Sequence, residues 1–333
     1  MKMKKVMAWM LAMVTAGTLM ACGASPQATG DAGAADPEEG KVYKVGICQL
    51  VQHEALDAAT LGFIDALKEE LGEQVIIDEQ NASNDQATCA TIMNQFVASE
   101  MDLIMANATP ALQAAIAATD TIPIVATSIT DYATALELPE WTGTTGINVT
   151  GTADLAPLDE QAAMISELVP EAKKVGILYC SAEANSKYQA EVVTEELVEM
   201  GLQVEEFTFA DSNDVMLVTE ACAAASDVIY VPTDNTVASN TEIINSVAED
   251  AGVPIVAGEE GICRGCGIAT LSIDYYSIGY RAGEMAAEIL KEGADPATME
   301  IDFAEDLTKK VMESRCEALG ISIPEGYQAI EEE

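Results

Sequence analysis

Histidine, aromatic residues and positive charge are all scarce in this chain. The 333 residues include one histidine, His53, five phenylalanines and two tryptophans. A Ser-His-Asp hydrolase would have to be built on that single imidazole, and no strained Gly-x-Ser-x-Gly elbow accompanies it. Gly-x-Gly-x-x-Gly dinucleotide fingerprints and phosphate-binding loops are absent as well. Sugar clefts commonly stack the ring on aromatic faces. With so few aromatics, a sugar ligand is disfavoured, although Tyr275 and Tyr276 are placed to line a cleft. Lys and Arg number 15 against 56 Asp and Glu, a formal net charge of −41. Nucleic acid and anionic lipid headgroups both require clustered positive charge, so neither is an expected partner. The acidity reads as solubility in an exposed compartment.

Long apolar runs are lacking too. The longest, Val6 to Met20, follows Lys2, Lys4 and Lys5 and is too short to span a membrane. It has the layout of an export signal. It ends in Leu19-Met20-Ala21-Cys22, which resembles a bacterial lipoprotein processing site. Residues 1–21 are therefore expected to be removed and Cys22 to carry lipid. That cleavage takes away three lysines and no acids, moving the charge from −41 to −44. Residues 22–40 are small, polar and acidic, and read as a flexible tether.

Eight cysteines are present, and lipidation of Cys22 leaves an odd number. Cys48, Cys89, Cys180 and Cys222 fall inside apolar patterns and are expected to be small buried hydrophobes. Free thiols in an exported protein suit a reducing or anaerobic habitat. Cys263-Arg264-Gly265-Cys266 is a CxxC. No second CxxC completes a zinc site, so no metal is expected. A thioredoxin-type pair belongs at a helix start after the first strand of its fold. This one follows the last strand of a repeat, so no catalytic role is expected; a local disulfide stays open.

What the chain does have is a duplication. Lys44-Val45-Gly46-Ile47 returns as Lys174-Val175-Gly176-Ile177. Gly72 to Asp85 realigns without a gap on Gly201 to Asp214, and Pro123-Ile124-Val125-Ala126 returns as Pro254-Ile255-Val256-Ala257. Within each copy strands alternate with helices. Leu56, Ala59, Phe63, Ile64, Leu67 and Leu71 have helical spacing, for example, and Val75-Ile76-Ile77 reads as a strand. Such alternation predicts βαβ units and parallel sheets: an α/β chain of two Rossmann-like lobes. Ser83-Asn84-Asp85 and Ser212-Asn213-Asp214 each precede a helix and are read as caps. The Thr/Gly-rich stretch 142–152 is read as the first crossover, with two more near 271–275 and 301–304. Lobe one is then expected to comprise 41–149 plus 275–301, and lobe two 150–274 plus 302–333. Three crossovers make a hinge.

Ligands of open parallel sheets lie beyond the carboxyl ends of the strands, at helix N-termini. In lobe one that rule selects Gln52, His53, Leu56, Thr109, Thr127, Ser128 and Asp131. In lobe two it selects Asn185, Ser186, Asp234, Asn235 and Glu259. Hydroxyls of Thr109, Thr127 and Ser128, with nearby backbone N–H groups, suit a carboxylate. Asp234 is expected to hold an ammonium, a role open to Glu259 as well. The set fits a zwitterionic amino acid. No cofactor is expected.

Several motifs together carry a resemblance. They are His53-Glu54-Ala55-Leu56-Asp57, Asn107-Ala108-Thr109-Pro110-Ala111, Asn148 to Thr152, Ser181 to Ser186, Tyr230 to Ser239 and Ile273-Asp274-Tyr275-Tyr276. The chain is similar, from about Lys44 to Pro324, to the substrate-binding lipoproteins of ABC transporters associated with tryptophan and tyrosine uptake. The resemblance implies a type I periplasmic-binding-protein fold. It also implies capture of a small ligand, here an amino acid, for a membrane permease with a cytoplasmic ATPase, on the outer face of the cell membrane. Glu54 stands where such sequences often have proline, and the Cys263–Cys266 loop replaces a segment usually free of cysteine. Competing classes are an exported redox or metal enzyme using the CxxC, and a ligand-sensing lipoprotein that reports to a receptor.

Overall fold

In the computed structural model, which describes residues 40–304 and 307–331, the two Lys-Val-Gly-Ile copies lie on equivalent strands. The expected leader, Cys22 and nearly all of the expected tether lie outside the described residues. The first copy runs β1 (Tyr43–Gln49), α1 (Glu54–Leu71), β2 (Val75–Asn81), α2 (Gln86–Ala98), β3 (Leu103–Asn107), α3 (Thr109–Ala118), β4 (Ile124–Ile129), α4 (Tyr132–Ala135) and β5 (Val149–Ala153). The second begins with α5 (Leu158–Leu168), β6 (Lys174–Cys180), α6 (Ala184–Glu199) and β7 (Gln203–Phe209). It continues with α7 (Val215–Ala225), β8 (Val228–Val231), α8 (Asn235–Ala238), α9 (Thr241–Ala251), β9 (Ile255–Ala257), α10 (Glu260–Cys266) and β10 (Ala269–Ser272). Then follow α11 (Tyr275–Glu292), β11 (Asp302–Phe303), β12 (Thr308–Val311), α12 (Glu313–Leu319) and β13 (Gln328–Ala329).

The strands form two sheets, in the orders β11-β5-β4-β3-β1-β2 and β13-β12-β10-β9-β8-β6-β7. Pairing is parallel throughout the first sheet. In the second, β12 pairs antiparallel with β10, and β13 follows the direction of β12. Register repeats with the sequence: Val45 faces Leu103, and its counterpart Val175 faces Val228. Central strands are buried on both faces, as a helix-covered parallel sheet requires.

The repeated glycine has a packing cause. A Cβ on Gly46 would lie 2.7 Å from the Phe96 ring of α2. On Gly176 it would lie 2.5 Å from Cys222 Sγ of α7 and 2.3 Å from Ser226 Oγ just beyond it. Each helix can rest on its strand only where the side chain is missing. A second device repeats as well. Asp102 accepts from the Lys44 N–H at 2.8 Å, and Asp227 accepts from Lys173 and Lys174 at 2.8 and 2.9 Å. Capping repeats only in part. Asp85 accepts from the Thr88 N–H at 2.6 Å, whereas the Asp214 side chain caps nothing, because its backbone is already helical.

The chain passes between the sheets three times: after β5, after β10 and after β11. The first passage lies later than the sequence reading placed it. Val149–Ala153 is a fully buried strand paired with β4, so the chain leaves the first sheet over 154–157. Its Thr/Gly composition imitates a loop, yet Gly151 is there for contact. With φ +146°, a Cβ would meet Ala126 O at 1.8 Å. Likewise β11, expected in lobe two, pairs with β5 in the first sheet. The long helix α11 returns to pack on α1 through glycines. Cβ atoms on Gly62, Gly279 and Gly283 would strike Tyr276 O at 2.2 Å, Ala59 O at 2.0 Å and Phe63 O at 2.6 Å.

Candidate ligand-binding site between the lobes

The carboxyl ends of both sheets face each other, and side chains already meet across the gap. The His53 Nε2 lies 3.2 Å from Asn235 Oδ1. Asn84 Nδ2 donates to Thr236 Oγ1 at 3.0 Å, and Gln86 Nε2 to the Ala182 carbonyl at 3.3 Å. Gln189 Nε2 donates to Thr130 Oγ1 at 3.4 Å. Arg264 Nη2 pairs with Glu54 Oε1 at 3.1 Å. The lobes are closed on one another.

In lobe one, β4 ends in a strained turn. Ser128 has φ 56° and is buried, and its hydroxyl has no hydrogen-bond partner. Thr127 Oγ1 accepts from Thr152 at 2.9 Å. Thr109 is buried in the first turn of α3, followed by Pro110. Asp131 caps α4, accepting from the Thr134 N–H at 2.7 Å. Leu56 sits in the apolar core of this lobe, and Gln52 is exposed.

In lobe two the centre is Glu183, which sequence reasoning did not single out. Its carboxylate accepts from the Asn235 N–H and side chain at 3.1 and 2.6 Å. It also accepts from the Thr236 N–H and hydroxyl at 2.9 and 2.8 Å, and from Asn185 Nδ2 at 3.3 Å. Asn185 Nδ2 also reaches the Thr233 carbonyl at 2.9 Å, while its Oδ1 is buried without a partner. Asp234 accepts from the Cys180 and Val237 N–H groups at 2.7 and 2.8 Å and from the Ser186 hydroxyl. Both of its oxygens are thus committed to holding α8 in place. Glu259 caps α10, accepting from Gly261 N–H at 2.7 Å and from Ile262 N–H.

Two further residues belong to the site. Asp154, in the first crossover, accepts from Thr130 Oγ1 at 3.1 Å and from Tyr275 OH at 2.9 Å. Tyr275 opens α11, directly after the second crossover. The signal for Asp154 lay in the alternation Val149-Thr150-Gly151-Thr152-Ala153, which marks a strand whose carboxyl end is Asp154. Burial drives the electrostatics here. It raises Asp154 to about 6, against the pull of its two hydroxyl donors. Burial and the neighbouring Glu183 charge raise Asp234 to about 7, and burial raises Glu259 to about 7. Burial lowers His53, partly offset by Asn235 and by the charges of Glu183 and Asp57. Asp154, Glu183, Asp234 and Glu259 are each at most 5% exposed, and no Lys or Arg is buried among the described residues. The site holds surplus negative charge.

A cavity of about 310 Å³ adjoins this cluster, lined by Glu54, Ala55 and Ala58 of α1, the cap Glu259 and the first turn of α10, and Tyr275. That is the low end of the ~300–1,000 Å³ range of small-molecule sites. Of the twelve expected contacts, Glu259 alone lines it. A larger cavity, about 640 Å³, is walled by β5, β11 and α11 and includes none of the twelve.

A family model described as ABC transporter substrate binding protein matches residues 44–331. The chain belongs to that family. It is 39% identical over 259 residues to a tyrosine-binding protein of Clostridioides difficile, covering 75% of this chain and 73% of the relative. A Streptococcus pneumoniae domain in complex with L-Trp superposes with a TM-score of 0.83 at 33% identity, covering 87% of this chain and all of that one. The ligand-free, open structure of a Clostridium difficile substrate-binding protein with adhesive properties gives 0.66 at 36% identity, covering 88% and all. The chain is a substrate-binding protein of an ABC transporter with the type I periplasmic-binding-protein fold, and such proteins work outside the cytoplasm. No helix of the described residues is long and apolar enough to cross a membrane.

Proposed function

We propose that this protein captures an amino acid, and an aromatic one in particular, between its lobes by hinge closure and delivers it to an ABC permease driven by a cytoplasmic ATPase. The observation that carries the ligand class is the cluster of buried carboxylates with no buried cation to match them. An ammonium group supplies the missing charge. Asp154 is its best partner, because the side chains that hold its two oxygens are hydroxyl donors, which can turn to other acceptors. Asp234, favoured by sequence alone, has both oxygens occupied by backbone N–H groups. The unpartnered Ser128 hydroxyl and the start of α3 at Thr109 offer donors to the carboxylate. Asn185 Oδ1, unpartnered on the opposite lobe, accepts from the ligand or from a water it carries. The named ligands of the two relatives, tyrosine and L-Trp, point to the same class.

Catalysis is not part of this proposal. The Cys263 and Cys266 thiols are buried and free, and burial pushes Cys266 up to about 12, away from the thiolate needed for redox or metal chemistry. Anchoring to the outer face of the membrane through lipid on Cys22 completes the proposal. A Cys22→Ser variant that stays on the membrane refutes it.

Isothermal titration with L-tyrosine, L-tryptophan, a nucleoside and a sugar tests the ligand class. Binding of either amino acid supports it; binding of the nucleoside or sugar alone sinks it. Asp154→Asn is expected to weaken amino-acid binding about 10- to 100-fold, the worth of a charge-assisted hydrogen bond.

A further inference from the structure

Arg264 and Glu54 meet across the cleft, beside the His53–Asn235 contact. Arg264 lies on α10 of lobe two and Glu54 opens α1 of lobe one. Among the ion pairs of the described residues, theirs alone joins the two lobes. We propose that this pair is an electrostatic latch at the edge of the cavity, and that Arg264 and Glu54 raise ligand affinity by favouring the closed state. The inference rests on the hinge-closing reading above.

The surroundings of Arg264 are arranged to present it. Its Nη2 also contacts Glu260 Oε1 at 2.9 Å. Glu260 is itself neutralised from the other side, where Oε2 receives Lys310 Nζ at 2.6 Å and Ser272 Oγ at 2.7 Å. The Arg264 guanidinium therefore keeps net attraction for a further carboxylate. The end of α10 is fixed as well. Arg315 donates to the carbonyls of Cys263, Arg264, Gly265 and Gly267 at 2.9–3.1 Å. Glu54 is poised in turn, next to His53, which bonds Asn235 across the same gap. It also borders the cavity with Ala55. Closing the latch and covering the cavity are one movement.

An interaction made only in the closed state shifts the open–closed equilibrium, and apparent affinity shifts with it. The two side chains are 34% and 51% exposed, so the effect is that of a surface pair: about two- to fivefold.

The test uses wild type, Glu54→Gln, Arg264→Gln and the double variant. Affinity for L-tyrosine and L-tryptophan is measured by titration at low and high salt. The closed fraction of the ligand-free protein is read from the distance between spin labels on Thr91→Cys and Glu195→Cys, two exposed positions on opposite lobes. Each single variant is expected to lose about two- to fivefold in affinity and to open. The double variant is expected to be no worse than either single, because the pair acts as a unit. The part of the salt dependence that the pair supplies is expected to vanish in all three. Additive losses, or a closed fraction unchanged by every variant, overturn the latch. If neither amino acid binds wild type, the ligand reading fails while the label distances still decide the latch.

Discussion

At Asp154 a carboxylate is buried between two hydroxyl donors with no cation beside it. Its pKa of about 6 stands above the ordinary 3.8, so the folded form holds the proton more tightly than the unfolded chain does. The stability this supplies is present below about pH 4 and is lost as pH rises through about 6. Asp154→Asn is therefore expected to gain thermal stability relative to wild type between about pH 4.5 and about pH 7.5. Equal melting differences at both ends of that range refute the assignment. Protons also compete with an ammonium for the carboxylate, so wild-type amino-acid affinity is expected to rise with pH through about 6, and the rise to vanish in the variant. The seven described cysteines are all buried and free. They are expected to resist a thiol reagent in the native protein and to react fully in denaturant; rapid native labelling is the contrary result. Burial of Cys48, Cys89, Cys180 and Cys222 was legible from their apolar neighbours. Glu183 was not, because nothing local distinguishes an acid that gathers five donors from one that caps a turn.

Among the elements, the βα order was legible because hydrophobic period and helix-start residues agree, and the internal repeat doubled every signal. What escaped was set by contacts distant in sequence. Val149–Ala153 became a buried strand through pairing with β4 and β11, and its Thr/Gly composition outweighed the alternation that marks it. Asp214 shares its sequence context with Asp85, yet it caps nothing. The glycines show the same dependence on distant partners. Gly176→Ala places a methyl against Cys222 and Ser226 and is expected to cost about 1–3 kcal/mol, measurable by urea unfolding. An unchanged midpoint would mean that α7 slides without penalty. Gly279→Ala strikes Ala59 O, a backbone atom that cannot rotate away, so its cost is expected to be the larger of the two.

For the molecule as a whole, closure is the property that matters. The chain superposes better on the L-Trp complex than on the ligand-free open relative, although the open one is slightly closer in sequence. Hydrogen bonds from Asn84, Gln86 and Gln189 across the cleft agree with that closed arrangement. The duplication announced the two lobes, but neither their closed approach nor the meeting of Glu54 with Arg264 is written in any local pattern. The three passages between the sheets have a mechanical consequence. A protease that nicks the backbone at one of them leaves two covalent straps in place. The cut protein would keep its halves together without any disulfide, and would lose stiffness at the joint before it lost either half.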